Sequence, residues 1–253
     1  MILKFQEDIA KDYTNSSQKI RVMSESWVGQ NAYCVACGAP LIQYENNKPV
    51  NDFYCNTCSE DYELKSQKGI SNKIMDGAYK TMIEKIGKNE IPNFFYLNYS
   101  SSFEIYNLAT IPKHYFTEDI IEKRKPLSQT ARRAGWVGCN INLSHVPESG
   151  KIYLIKNSII SNKQEVLDKF NKTIFLREYR SSKMKGWTLD IMKCVDLLSK
   201  KEFSLDEIYH FEESLKQKHP NNENIRPKIR QQLQILRDNN YIEFVGKGQY
   251  KLR

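Results

Sequence analysis

Residues 51–66 read NDFYCNTCSEDYELKS, and no other stretch of the chain says as much about fold and chemistry. It sets Asp52 and the tripeptide Glu63-Leu64-Lys65 on either side of a Cys-x-x-Cys pair, Cys55 and Cys58. A matching pair, Cys34 and Cys37, lies upstream with 17 residues between the two. Two residues between sulfurs let one tight turn aim both thiolates at a single tetrahedral ion, and Gly38 eases the first turn. Buried or redox cysteines are the plain alternative, but two such pairs at this separation match four-cysteine zinc ribbons. A zinc ion held by Cys34, Cys37, Cys55 and Cys58 has no open position and is expected to be structural. The other two cysteines, Cys139 and Cys194, stand alone, a usage that suits a reducing compartment.

On a strand, Glu63 and Lys65 share one face while Tyr62 and Leu64 point to the core. Asp52, on a neighbouring strand, can bring a second carboxylate to the same edge. Two carboxylates and a backbone carbonyl, that of Leu64, make an oxygen-only site for a hard divalent ion such as magnesium. Lys65 beside it can orient or deprotonate a water. Glu-x-Lys alone is weak, because an exposed, salt-bridged strand reads the same way. Its position beside a metal knuckle and a further carboxylate, in a basic chain, gives it weight.

Outward from this stretch, 5–30 reads as helical, interrupted at Asn15-Ser16-Ser17, and 33–65 as knuckles and short strands. Ile74, Ala78, Met82 and Ile86 recur at intervals of four and predict a helix over 72–87. Phe94–Tyr99, Phe103–Ile111 and Lys151–Lys156 are rich in aromatic and branched residues and predict strands. The basic segment from Glu122 to Trp136 reads as a loop. The polar run 177–186, REYRSSKMKG, marks a domain boundary, giving domains 1–180 and 181–253. Beyond it, Trp187–Ser199 is helical, Ser204 and Glu207 form a capping box for a helix reaching about Lys218, and Asn224 starts a third helix. A hairpin, Tyr241–Val245 and Gln249–Leu252, follows around Gly246 and Gly248. Three helices then a hairpin is the order of a winged helix-turn-helix.

Lys and Arg number 38 against 30 Asp and Glu, which favours a polyanionic partner over acidic proteins or small neutral substrates. The first residues carry charge among the apolar positions and show no cleavable leader, and no apolar run approaches a membrane span. A soluble, cytoplasmic protein without membrane or small-molecule partners is the expectation. The chain leaves its oligomeric state open, a monomer included.

The blocks NDFYCNTCSEDYELKS, PLSQTARRAGWVGCNI (126–141) and IRQQLQILRD (229–238) resemble those of the methyl-directed, type IIM restriction endonucleases of the PD-(D/E)XK superfamily. The resemblance spans nearly the whole chain. It implies a mixed α/β PD-(D/E)XK nuclease domain with an inserted zinc knuckle, followed by a winged helix; periodicity alone gives only a mixed α and β domain. It further implies that Asp52, Glu63 and Lys65 are catalytic. The implied activity is cleavage of both strands of double-stranded DNA at G-A-T-C when the adenine carries an N6-methyl group. Asn51 stands where the superfamily signature has proline, a departure without chemical consequence because that proline bears no chemistry.

In the third C-terminal helix, Ile225, Ile229, Leu233 and Leu236 form the inward stripe, leaving Lys228, Arg230, Gln231 and Gln234 outside. Arg and Gln can make bidentate contacts to guanine and adenine edges. A solvated polar face is the plain alternative, but residues 221–253 carry seven basic and three acidic side chains, whereas 181–220 carry seven of each. A second reader is the loop with Arg132, Arg133 and Trp136, where the Trp is either exposed to DNA or part of the core. The rival reading of the chain is a non-catalytic zinc-ribbon and winged-helix DNA-binding regulator. That reading gives Asp52, Glu63 and Lys65 no common task.

Overall fold

The computed structural model describes residues 1–45, 51–179 and 182–253, so the boundary expected at 180 and 181 lies outside the described residues. The Asn15 side chain accepts the backbone N–H groups of Ser17 and Gln18 and opens α1, Ser16–Asn31. The helix expected from residue 5 therefore starts later, and only a single 3-10 turn, Glu7–Ala10, precedes it. After α1 the chain makes β1 (Ile42–Gln43), β2 (Phe53–Tyr54) and β3 (Asp61–Lys68). It crosses over through β4 (Lys73–Ala78) and α2 (Tyr79–Lys88) and returns as β5 (Asn93–Tyr99), parallel to β3. Next come β6 (Ile105–Ile111), β7 (Ile121–Lys123), β8 (Gly138–Asn142), β9 (Ile152–Lys156), β10 (Ile159–Ile160) and α3 (Lys163–Asn171).

These strands form a seven-stranded mixed sheet in the order β1-β2-β3-β5-β6-β9-β10 and a separate small sheet, β4-β8-β7. The helix expected over 72–87 is thus half strand. In β4, Ile74 is buried while Lys73 and Met75 are exposed, and Ile74 pairs with Ile141. An interval of four, as between Ile74 and Ala78, satisfies a strand face as well as a helix face, which is why the pattern misled.

β5 explains how the sheet is covered on both sides. Every residue of Asn93–Tyr99 is buried. Phe94 and Tyr96 enter one core with Ile74, Ile111 and Ile141, whereas Phe95, Leu97 and Tyr99 enter another with Trp27, Val28, Phe53 and Phe170. A strand apolar at every position belongs where both faces of a sheet are packed. The first of these cores continues through Leu176 to Trp187 and Leu233, tying the sheets to the C-terminal helices.

The C-terminal region comprises α4 (Ser182–Leu197), β11 (Glu202–Ser204), α5 (Leu205–Tyr209), α6 (Glu212–Lys218), α7 (Ile225–Asp238), β12 (Ile242–Gly246) and β13 (Gln249–Leu252), with a sheet ordered β11-β13-β12. The helix expected over 204–218 is broken at His210 and Phe211, and β11 adds a third strand to the expected hairpin. The capping box at its start is complete: Glu207 N donates to Ser204 Oγ at 3.2 Å and Ser204 N to Glu207 Oε2 at 2.7 Å. Replacing Ser204 by alanine is expected to cost about 1 kcal/mol, read as a melting temperature lower by roughly 2–4 °C in thermal unfolding. Among the described residues no helix is long and apolar enough to cross a membrane.

Candidate active site and metal centre

The knuckles are built alike. In the first, Gly38 N donates to Cys34 O at 2.7 Å; in the second, Ser59 N donates to Cys55 O at 2.9 Å. Both fifth positions need positive φ, +78° at Gly38 and 58° at Ser59. Each turn aims two sulfurs the same way, and all four Sγ atoms lie within 4.8 Å of one another, with Cys34 and Cys58 at 3.4 Å and Cys37 and Cys55 at 3.5 Å. Tetrahedral zinc with bonds of about 2.3 Å sets sulfurs about 3.8 Å apart, so the donor set and its size fit that ion. The group could hold zinc. Burial raises the Cys55 thiol, but N–H groups of Cys58 and Thr57 and the neighbouring sulfurs outweigh it and carry it down to about 7. Cys139 and Cys194 are buried apart, their thiols pushed up to about 11 and about 12, first of all by burial.

The knuckle frames the acidic edge. β2 pairs with β3 through Phe53 opposite Tyr62 and Tyr54 opposite Asp61. That register carries Asp52 alongside Glu63 and Leu64, and Leu64 N donates to Asp52 Oδ2 at 2.6 Å. Tyr62 is wholly buried and Leu64 packs on the same core, so Glu63 and Lys65 face the other way, as alternation requires. Lys65 Nζ lies 2.5 Å from Glu63 Oε1, and the pair retains 23 % side-chain exposure.

Asp76, which sequence reading missed, completes the group. Its Oδ1 lies 2.6 Å from Lys65 Nζ, and its side chain is only 6 % exposed. It arrives from β4 in the small sheet, and nothing near it in sequence marks it. Burial pushes the Lys65 amine down, yet the Glu63 and Asp76 carboxylates outweigh that and hold it well above its ordinary value. Burial also lifts Glu63 above the usual carboxylate range, Lys65 opposing and Asp76 and Asp52 adding to the rise. A carboxylate in that condition favours a further cation. A fourth acid, Glu25 of α1, lies behind, bound to Arg21 at 2.5 Å and to Gln43 at 3.0 Å, and feels the charge of Asp52. Among the described residues only the four cysteines draw three or more metal-binding side chains within 4.8 Å, so no three of these carboxylates converge as closely.

The basic loop joins β7 to β8, the strand paired with β4, with Asp76 opposite Cys139. Arg132 and Arg133 are exposed and Trp136 is half-buried. Trp136 is neither fully free nor a core residue: one face carries the Arg133 guanidinium at 4.7 Å, and its ring leaves no room for a Cβ at Gly138. On α7, Arg230, Gln231 and Gln234 are exposed, while Ile225, Ile229, Leu233 and Leu236 are buried. Lys228 Nζ donates to Gln231 Oε1 at 2.7 Å and Arg230 Nη1 to Tyr209 OH at 2.8 Å. The polar face thus carries its own contacts before any partner arrives.

A family model described as DpnI, Dam-replacing family, matches residues 1–179. A second, the C-terminal DpnI model described as a Dam-replacing HTH domain, matches residues 183–252.

Proposed function

The chain belongs to the Dam-replacing family, and from that membership we propose that it is a type IIM restriction endonuclease of PD-(D/E)XK type. It cleaves double-stranded DNA at G-A-T-C sites bearing N6-methyladenine, by magnesium-assisted phosphodiester hydrolysis in the cytoplasm. Residues 1–180 carry the chemistry and 181–253 the winged helix. The observation that carries the reading is the joint placement of Asp52, Glu63 and Lys65: Asp52 docked on the Leu64 amide, Lys65 on Glu63.

Asp52, Glu63 and the Leu64 carbonyl would hold the magnesium ion; all are oxygen donors, and Glu63 sits where negative charge is in excess. When bound, that ion polarises the scissile phosphate and lowers the pKa of an attacking water. Lys65, gripped between two carboxylates, holds its ammonium fixed to donate hydrogen bonds to that water or to a phosphate oxygen. Zinc on the cysteines plays no part in the chemistry and keeps β2 and β3 in place. Arg132 and Arg133 contact backbone phosphates, Trp136 packs against bases, and Lys228, Arg230, Gln231 and Gln234 read the groove.

Asp76 acts as a positioning residue through Lys65. Asp76→Asn is expected to lower kcat roughly 10- to 100-fold, the scale of losing a supporting partner at a metal site, with KM unchanged. Asp76→Glu restores part of the rate, a rescue that a merely structural role would not give; steady-state cleavage of a labelled duplex measures both.

Burying a single methyl is worth about 0.8 kcal/mol, under tenfold in affinity, so strong selectivity needs both methyls of the palindrome or two reading elements. Cleavage rates are therefore expected to rise from unmethylated through half-methylated to fully methylated duplex. Equal rates on all three would remove the methyl-directed reading, and no cleavage of any would favour a non-catalytic binder.

A further inference from the structure

Between α2, the turn after β6 and the start of α4 lies a cavity of about 210 Å³ whose polar lining holds three cations, the neutral side chains of Asn89, His114 and Tyr179, and no carboxylate. Lys113, His114, Arg177 and Lys185 line it, set among Ile86, Ile91, Phe116 and Leu176. Among the described residues one carboxylate pairs with this group. Glu60, only 5 % exposed, takes both Arg177 Nη atoms at 2.7 and 3.1 Å, Asn93 Nδ2 at 2.7 Å and Lys113 Nζ at 3.2 Å. Three of these contacts fall on Oε2 and one on Oε1, so the carboxylate is already engaged by Arg177 and Lys113 and makes no contact with Lys185.

His114 cannot help either. Thr173 Oγ1 donates to Phe170 O, so it accepts from His114 Nε2 at 3.0 Å, and the bare Nδ1 accepts Arg177 Nε at 3.3 Å. The ring is the neutral tautomer; burial first, then Arg177, Lys185 and Lys113, hold its pKa well below the ordinary value.

Lys185 is the residue left over. It is only 7 % exposed, and among the described residues it makes no hydrogen bond and no ion pair. Its ammonium is not among the enclosed polar atoms and meets the water of the cavity, and a cation held unpaired in so confined a space attracts an anion more strongly than one on an open surface. Among the described residues two of the three cations share Glu60 and the third, Lys185, has no carboxylate, which leaves an excess of positive charge suited to an anion of charge near −2.

The geometry points to a phosphoryl-binding site in this cavity, with Lys185 as its principal ligand and Lys113 and Arg177 flanking it. The phosphoryl group can be free inorganic phosphate or a phosphate of a nucleic-acid backbone; both present tetrahedral oxygens that suit Lys and Arg donors. The site is separate from the acidic edge at Asp52, Glu63 and Lys65, and does not depend on whether that edge cuts DNA.

The test uses the full zinc-loaded chain without magnesium. Thermal unfolding in sodium phosphate is compared with sodium chloride at equal ionic strength, for the parent and for Lys185→Met, which keeps the side-chain length and drops the charge. If free phosphate is the occupant, the parent melts a few degrees higher in 10 mM phosphate. Lys185→Met loses that rise, while melting at or above the parent in chloride. If the occupant is a backbone phosphate, free phosphate has no effect, and the slope of log affinity against log salt for an unmethylated duplex falls by about 1 in Lys185→Met. Should Lys185→Met not accumulate folded, Lys113→Met is read in the same two assays. No phosphate-specific rise together with an unchanged salt slope overturns the proposal.

Discussion

Asp52→Asn is expected to lower cleavage of fully methylated duplex by about 1,000-fold or more, since losing a metal-held transition-state contact worth several kcal/mol translates into that factor. The protein should stay folded and bind DNA with parental affinity. Asparagine retains a carbonyl oxygen for the Leu64 N–H that Asp52 now accepts at 2.6 Å, so the local strand pairing survives while the charge is lost. Asp52→Ala removes that acceptor too. It is expected to show the same catalytic loss plus destabilisation of about 1–3 kcal/mol, because a half-buried N–H loses its partner. Rates on a radiolabelled duplex, set beside thermal unfolding of each variant, separate the two effects. Parental cleavage by Asp52→Asn would remove this residue from the chemistry.

Loss of zinc is expected to be as severe, through the fold. β2 is two residues long and meets β3 at only two residue pairs, too little backbone pairing to stand by itself. Cys55 directly follows β2 and Cys58 lies three residues before β3, so the knuckle ties together the segments bearing Asp52 and Glu63. Cys55→Ser, or prolonged treatment with a strong chelator, should release close to one zinc per chain. It should lower the melting temperature by on the order of 10 °C and abolish cleavage even with magnesium in excess. Retention of full activity with no bound zinc would show that the strands position Asp52 unaided.

The two Cys-x-x-Cys pairs were legible in the sequence because a local turn constrains their spacing, and the folded turns need little from the rest of the chain. Glu63 and Lys65 were legible as one strand face for the same reason, and strand alternation does place them together opposite Tyr62. Asp76 was not. It reaches Lys65 only because β4 joins a second sheet with β8, a long-range pairing that leaves no local trace, and β4 itself imitates a helix through its interval of four. The break at His210 and Phe211 escaped notice because Leu205–Lys218 carries no proline or glycine to announce it. Trp136 could not be assigned to core or surface from its neighbours, since its exposure depends on Arg133 stacking upon it and on the space Gly138 leaves. The excess of cations around Lys185 likewise joins residues more than seventy positions apart, from Lys113 to Lys185.

The proposed function requires that Asp52 and Glu63, braced by Lys65, together bind one hard cation. Manganese, a paramagnetic substitute for magnesium, reports on this directly. Electron paramagnetic resonance of a manganese titration into the zinc-loaded protein should show a bound ion that magnesium displaces in the parent, and that is lost in both Asp52→Asn and Glu63→Gln. Equal manganese binding by the parent and the two variants would contradict the account.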